Sequence, residues 1–206
     1  MEARNARKWA LQVLVILLLA TLAVSGAWGC ARSEPVEPQE KEEAGEDAEE
    51  AAEEEQTTVA LYFRYDADTQ GWLAPEERTV SGDPLLRAMQ ELIAGPAPDS
   101  QLQPVLPDTV QVLDIGVEDG ICTVNVSKEI LTDANQVGVS ASGEGLALAA
   151  IADTLTQFAE VDKVKLLVEG VQSGTIEGRF VEDFWGHMGL PEYLERNEDL
   201  IYEPPS

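Results

Sequence analysis

The sequence has one histidine, two cysteines and few basic residues. A single histidine, His187, excludes histidine-cluster metal sites and acid–base schemes that need a histidine pair. Against 39 Asp and Glu stand only 13 Lys and Arg, and this imbalance excludes a broad basic face, so no nucleic-acid partner is expected. Cys122 lies in a predicted strand away from Cys30, and we expect it to be a buried, inert thiol.

The only basic part of the chain is its N-terminus. Arg4, Arg7 and Lys8 precede a nearly uninterrupted apolar run from Val13 to Val24. A transmembrane helix requires about 20 apolar residues, and a run of about 10–14 is typical of the hydrophobic region of a secretory signal. The pattern therefore predicts export of the chain.

The apolar region ends in Ala27-Trp28-Gly29-Cys30, which resembles a bacterial lipobox. The resemblance implies that residues 1–29 are a lipoprotein signal peptide and that Cys30 is the site of lipid attachment, which makes the membrane a partner. An uncleaved anchor and ordinary signal cleavage are the alternatives. All three place the rest of the chain outside the cytoplasm, so we expect it on the extracytoplasmic face of the bacterial cell membrane.

Residues 30–57 form a strongly acidic stretch. Ala31 to Thr57 carries twelve acids against two bases, and Glu37 to Gln56 has no large apolar residue. Such a segment buries too little surface to offset its chain entropy, and we predict a disordered linker. A transient helix is the alternative, although like charges such as Glu42 and Glu46 oppose it. Either form acts as a spacer between the bilayer and the domain.

The remaining residues, 58–206, have the length of one ordinary domain. Apolar residues alternate from Thr58 to Arg64, and Glu76 to Val80 can return as the partner strand. Asp83-Pro84 then supplies an N-cap and a proline at the first helical position, and Gly95-Pro96 stops the helix.

A second hairpin is predicted further along the chain. Apolar alternation runs from Val110 to Val117 and slips by one residue at Leu113, which indicates a bulge. Asp119-Gly120 follows, and this dipeptide between two alternating runs is a strong hairpin signal. We therefore expect Ile121 to Val126 to pair antiparallel with the preceding strand.

A second helix is expected from about Gly145 to Phe158, with Ser142 as its cap and a purely apolar inward stripe. Val164 to Val168 then alternates with lysines as the last strand. The pattern predicts an α/β protein in an α+β arrangement: a mixed sheet of about five strands with two helices packed on one face.

These elements carry a recognisable set of short motifs. They are Ser127-Lys128-Glu129, Gly143-Glu144-Gly145-Leu146-Ala147-Leu148, Asp153-Thr154-Leu155, Glu169-Gly170 after the last strand, and Gly186-His187-Met188-Gly189-Leu190-Pro191. Together with the element order they resemble the GerMN domain family, which is named for sporulation and spore germination lipoproteins. The resemblance implies a fold similar to ring-building motif domains.

The same resemblance implies a non-enzymatic module that binds or assembles within the cell envelope. No catalytic residue, metal site, cofactor or small-molecule substrate follows from it. The partners it implies are envelope proteins or further copies of the chain, with a role in sporulation or germination.

Two other functions can be argued from the residues. An envelope hydrolase acting on peptidoglycan or an ester would use Ser140, His187 and one of the many carboxylates, although the surrounding glycines do not complete a nucleophile elbow. A calcium-responsive module would use the loop from Asp66 to Glu77, which has much of the EF-hand spacing but lies between predicted strands.

The C-terminal stretch from Phe180 to Tyr202 is rich in aromatic and aliphatic residues among acids. We expect most of them to cover an open face or edge of the sheet. Residues that instead stay exposed would form an interaction surface.

Overall fold

The computed structural model describes residues 55–67 and 69–204. The predicted signal peptide, Cys30 and nearly all of the predicted linker lie outside this part of the chain. Within it, no helix is both long enough and apolar enough to cross a membrane.

The domain begins with a long hairpin. Strand β1 (Gln56–Ala67) pairs antiparallel with β2 (Gln70–Ser81) over twelve residues each. Both strands are longer than the sequence predicted, since β1 starts two residues before Thr58 and β2 starts six before Glu76. The hairpin buries Leu61, Phe63 and Leu73 in the core.

Helix α1 (Pro84–Ala94) has the predicted boundaries. The Asp83 side chain accepts hydrogen bonds from the backbone N–H groups of Leu85 and Leu86, which would otherwise lack partners at the helix start. The helix ends at Gly95, whose φ of 87° is readily adopted only by glycine.

The second hairpin is confirmed. Strand β3 (Val112–Glu118) pairs antiparallel with β4 (Ile121–Val126), and the register shifts between Val112 and Asp114, where the bulge was expected. Asp119-Gly120 closes it, with φ of 51° and 77°, as a type I′ turn requires. Strand β5 (Lys163–Val168) then pairs parallel with β4.

Two α-helices, with a 3₁₀ helix (Ala134–Gln136) between them, lie between β4 and β5. The first, α2 (Glu129–Thr132), is a single turn. The second, α3 (Ala141–Leu155), starts four residues before the predicted Gly145 and ends three before Phe158. Its cap is Ser140 rather than Ser142, because the Ser140 side chain accepts the Gly143 N–H. The prediction of a purely apolar inward face is wrong, since Glu144, Asp153 and Thr154 are buried.

The α+β fold class is confirmed, but the single five-stranded sheet is corrected to separate sheets. Strands β1 and β2 form one, and β3, β4 and β5 form another in that order. A third, minor sheet pairs β6 (Thr175–Ile176) with β7 (Arg179–Phe180). Both α1 and α3 contact both major sheets instead of one face of a single sheet.

The division has a physical cause at the free edge of β1. The Gln157 side chain, just after α3, donates to the Ala60 carbonyl and accepts the Ala60 N–H, both at 2.8 Å. The Thr154 hydroxyl accepts the Tyr62 N–H at 3.3 Å. Backbone bonds with Gln103 occupy the next position on this edge. The edge groups that could have bound another strand therefore already have partners.

Cys122 is fully buried on β4, as expected. Desolvation raises the pKa of its thiol to about 12. Because the thiolate is the reactive form, this thiol is inert near neutral pH.

Candidate binding groove

The C-terminal segment, defined here as residues 181–204, covers exposed edges of both major sheets. Leu194 exchanges backbone hydrogen bonds with Val164 on β5, and Tyr202 donates its N–H to the Leu73 carbonyl on β2. The Trp185 indole N–H donates to the Ile130 carbonyl at 2.8 Å. The predicted covering role is therefore confirmed for this segment.

Two apolar side chains of the predicted C-terminal stretch remain outside the core. Phe180 is 54% exposed and Met188 is 65% exposed, whereas Phe184, Trp185 and Leu194 are buried. Whether these exposed residues form an interaction surface stays a prediction.

The segment is fixed to the first turn of α3 by a buried carboxylate. Glu144 has no exposed surface, and its two oxygens accept the successive backbone N–H groups of His187, Met188 and Gly189 at 2.8–3.1 Å. Charge-assisted hydrogen bonds of this kind are stronger than neutral ones. The position of Glu144 near the N-terminus of α3 further favours its negative charge.

A second buried carboxylate binds the segment near the other end of α3. Asp153 accepts the Asn197 N–H at 2.8 Å through Oδ1, but its Oδ2 has no hydrogen-bond partner. Burial raises the pKa of Asp153, and this outweighs the lowering by the Asn197 N–H and by Arg196. Nine residues separate the two carboxylates, which is about 13–14 Å along a helix.

Arg196 completes this second attachment. Its guanidinium donates to the Asp153 backbone carbonyl at 3.2 Å and to the Tyr62 hydroxyl at 3.1 Å. It also lies over the Tyr62 ring, 5.5 Å from the centroid, and donates to Glu198. One arginine therefore joins the segment to α3 and to β1.

Sequence reasoning missed both carboxylates. Glu144 lies one turn before Leu148, so the helical period already placed it on the apolar stripe. Asp153 adjoins two buried residues of that stripe, Ala152 and Leu155. An acid on an apolar helix face is expected to be buried, and a buried carboxylate needs hydrogen-bond donors from elsewhere in the chain. This was the signal in the sequence that could have identified both residues.

Between these attachments lies an open groove of about 550 Å³. One wall is formed by Gly145, Leu148 and Ala149 of α3, and the other is the C-terminal segment. The residues that line it are Gly145, Leu148, Ala149, Glu182, Met188, Gly189, Leu190, Pro191, Tyr193, Leu194, Glu195, Asn197 and Leu200.

Close approach at Gly145 shapes one end of this groove. A Cβ at this position would lie 3.2 Å from the Met188 sulfur, so glycine lets the thioether lie against the helix. Methionine is unbranched and flexible, and it adapts to irregular apolar surfaces. The exposed Met188 is therefore suited to repack around a bound side chain.

The ionisable side chains that line the groove are acidic, although the Lys163 ammonium group of β5 lies 3.7 Å from the ring centroid of Tyr193, which also lines it. The only ionisable side chains of the groove, apart from the Tyr193 phenol, are Glu182 and Glu195. Backbone hydrogen bonds from Glu182 itself and from Gly174 lower the pKa of the Glu182 carboxyl. Glu182 is thus ionised throughout the neutral range.

The candidate hydrolase residues Ser140 and His187 lie outside the groove lining and form hydrogen bonds with other groups. Ser140 caps α3 through its hydroxyl, and His187 contributes its backbone N–H, not its ring, to Glu144. No hydrogen bond joins Ser140 to His187, both of which the structure describes. Neither residue lines the groove.

The candidate calcium residues are separated by the first hairpin. Asp66 pairs with Gly71 beside the turn, whereas Glu77 pairs with Ala60, which lies six residues before Asp66 on β1. Six strand residues span about 20 Å, which is too far for both carboxylates to bind one ion. Asp66 instead accepts a hydrogen bond from Arg64. No group of three or more potential metal ligands occurs within residues 55–67 and 69–204.

The comparisons with known proteins identify the domain. The family model Germane, described as "Sporulation and spore germination", matches residues 60–174, which is more than half of the chain. The chain belongs to the Germane family. The match ends before the C-terminal segment, so the groove combines α3 of the Germane domain with residues beyond the matched region.

A solved structure of tandem GerMN domains agrees with this fold. The tandem GerMN domains of the sporulation protein GerM from Bacillus subtilis match with a TM-score of 0.55 and 20% identity, over 71% of this chain and 48% of that one. The first GerMN domain of the same protein matches at 19% identity with a TM-score of 0.48, covering 68% of this chain and 98% of that chain. The chain spans about half the length of the tandem-domain structure. No curated protein matches it.

Proposed function

We propose that this Germane-family chain is a lipid-anchored, non-enzymatic binding module on the extracytoplasmic face of a bacterial membrane. It binds another envelope protein in sporulation or germination. The family membership supports the sporulation context, and the lipobox-like Ala27 to Cys30 supports the anchor.

The groove beside α3 is the observation that carries the binding role. It has about 550 Å³ of open space, a mostly apolar lining and walls fixed by two buried carboxylates. Rigid walls reduce the entropy lost on binding. Its polar lining residues are two glutamates, a tyrosine and an asparagine, which include no serine, cysteine or histidine nucleophile.

The anchor can be tested by labelling and fractionation of the full chain. The native protein is expected to incorporate radiolabelled fatty acid and to sediment with membranes, whereas Cys30→Ser is expected to lose the label and become releasable. Cys122→Ala is the matched control, because it removes the other cysteine and should retain the label. A labelled Cys30→Ser variant, or a native chain found in the cytosol, would contradict the proposal.

The binding role can be tested in the same cells by crosslinking. A partner that crosslinks to the native protein should no longer do so when Met188→Ser alters the groove rim. The crosslink should persist when Phe180→Ser removes another exposed apolar side chain, which lies outside the groove lining.

A further inference from the structure

The proposed function leaves the occupant of the groove open, and charge separates the possible occupants. Residues 58–206 contain 26 acids and eight bases, so a second copy of the domain meets the groove with like charge. The chain's own segment from Ala31 to Thr57, with twelve acids and two bases, meets the same repulsion. Like-charge juxtaposition opposes association. Both self-derived occupants are therefore disfavoured.

The C-terminal wall concentrates this charge. Residues 181–204 contain seven acids and one base, Arg196. Arg196 is already engaged by Glu198, Tyr62 and the Asp153 carbonyl. The negative charge around the groove is therefore not neutralised by the segment itself, and a partner of positive charge would complement it.

The groove also requires apolar atoms from its occupant. Leu148 and Leu194 line it but are themselves buried, so the apolar side chains that it presents to solvent are Met188, Leu190 and Leu200. Water against these side chains is displaced favourably only by another apolar surface. A purely polar basic segment would not gain free energy by displacing this water.

A second cavity of about 460 Å³ borders the same turn of the chain. Its walls are the Trp72 and Tyr202 rings, 6.4 Å apart at 62°, and the acids Glu198, Asp199 and Glu203. Aromatic faces and carboxylates both attract cations. Leu200 lines the groove while Glu198 and Asp199 line this cavity, so the three-residue turn Glu198–Leu200 borders both spaces.

We infer that the groove receives an apolar segment of another protein that carries flanking lysine or arginine residues. The apolar side chains fill the groove beside α3 and displace Met188. A flanking cation enters the aromatic and acidic cavity beyond Glu198–Leu200. This inference rests on the proposed binding function and specifies the chemistry of its partner.

Fluorescence anisotropy with synthetic peptides of about twelve residues tests the inference on the full chain carrying Cys30→Ser. The first probe alternates leucine and lysine. The second replaces leucine by serine, and the third replaces lysine by glutamate. The leucine–lysine peptide is expected to bind at least about tenfold more tightly than either comparison peptide. Equal or tighter binding of the glutamate peptide would overturn the inference.

Matched charge reversals locate the binding. Glu195→Lys, in the groove, should weaken the leucine–lysine peptide about tenfold, whereas Glu118→Lys, exposed on β3, should change it less than about twofold. Both variants change the net charge equally. Equal effects would show attraction by overall charge and would overturn the assigned site. Trp72→Leu should weaken binding of the leucine–lysine peptide as well, without affecting the glutamate peptide, which has no cation to place beside the ring.

Two further results separate this inference from the proposed function. If sedimentation shows a dimer that Met188→Ser dissociates, the occupant is a second copy, which overturns the basic partner but leaves a binding module. If Cys30→Ser remains membrane-bound while the peptide binds as expected, the anchor fails and the inference stands.

Discussion

Each end of α3 carries a buried carboxylate, and the two carboxylates differ in the hydrogen bonds that they accept. At the N-terminal end, Glu144 is buried with both oxygens bonded to three backbone N–H groups of the C-terminal segment. Toward the C-terminal end, Asp153 is equally buried but has one oxygen bonded to Asn197 and one with no partner. Burial is the first cause of the raised pKa of the Asp153 carboxyl.

The difference shows that burial alone does not decide whether a carboxylate stabilises a fold. A buried charge is costly unless its hydrogen-bonding capacity is used. Glu144 uses this capacity at the helix end where the dipole favours an anion, whereas Asp153 lies two residues before the end where the dipole disfavours one. We therefore regard Glu144 as the principal attachment of the groove wall and Asp153 as a weaker one.

The largest loss of stability is expected from Glu144→Gln. The substitution keeps the size of the side chain but turns an NH₂ group toward backbone donors, and it removes the charge from the hydrogen bonds. We expect a loss of about 2–3 kcal/mol in the free energy of unfolding, measured by urea denaturation. Glu160→Gln, exposed beyond the end of α3, is the control and should change stability by less than about 0.5 kcal/mol.

An intermediate effect is expected at the C-terminal end of α3, which also holds β1. Thr154→Val removes the hydroxyl that accepts the buried Tyr62 N–H and leaves this donor without a partner. The expected cost is about 1–2 kcal/mol. Thr156→Val is a useful comparison, because the Thr156 hydroxyl bonds only within its own helix turn, to the Ala152 carbonyl. Equal costs for both variants would argue against edge capping of β1.

The smallest effect at neutral pH is expected from Asp153→Asn. Asparagine can keep the oxygen that accepts the Asn197 N–H and removes a poorly satisfied charge. We expect a loss below about 1 kcal/mol, less than for Glu144→Gln. A larger loss for Asp153→Asn than for Glu144→Gln would reverse the comparison.

The same variant has a pH signature. Because the folded pKa of Asp153 is raised, the native state holds this proton more tightly than the unfolded chain, where the pKa is about 3.9. Its contribution to stability is therefore present at low pH and is lost as pH rises from about 4 through the folded pKa. The stability of the native protein relative to Asp153→Asn should fall over that window. A rise, or no change, would contradict the assignment.

Local features of the fold were predictable from the sequence. Asp83-Pro84 and Gly95-Pro96 bounded α1 because caps and helix stops act over a few residues. Asp119-Gly120 fixed the second hairpin because its backbone angles alone select the turn. The bulge at Leu113 followed from a slip in alternation.

Features that depend on distant partners were not predictable. The single sheet was an error because the free edge of β1 is capped by Gln157, 97 residues away. Likewise, Glu144 and Asp153 find partners 43 to 45 residues later in the chain. The groove depends on all of these contacts, so its existence could not be derived from periodicity, although its apolar tail residues were recognised as candidates.

In the proposed complex, α3 and the C-terminal segment together form the binding groove for a partner that is both apolar and basic. The most direct test is backbone amide NMR of the full chain carrying Cys30→Ser, titrated with the leucine–lysine peptide. We predict that the largest shift changes cluster at Gly145, Leu148, Ala149 and residues 188–200, with Trp72 at their border. Changes centred instead on β3 and β4, or spread evenly over the acidic surface, would contradict the claim.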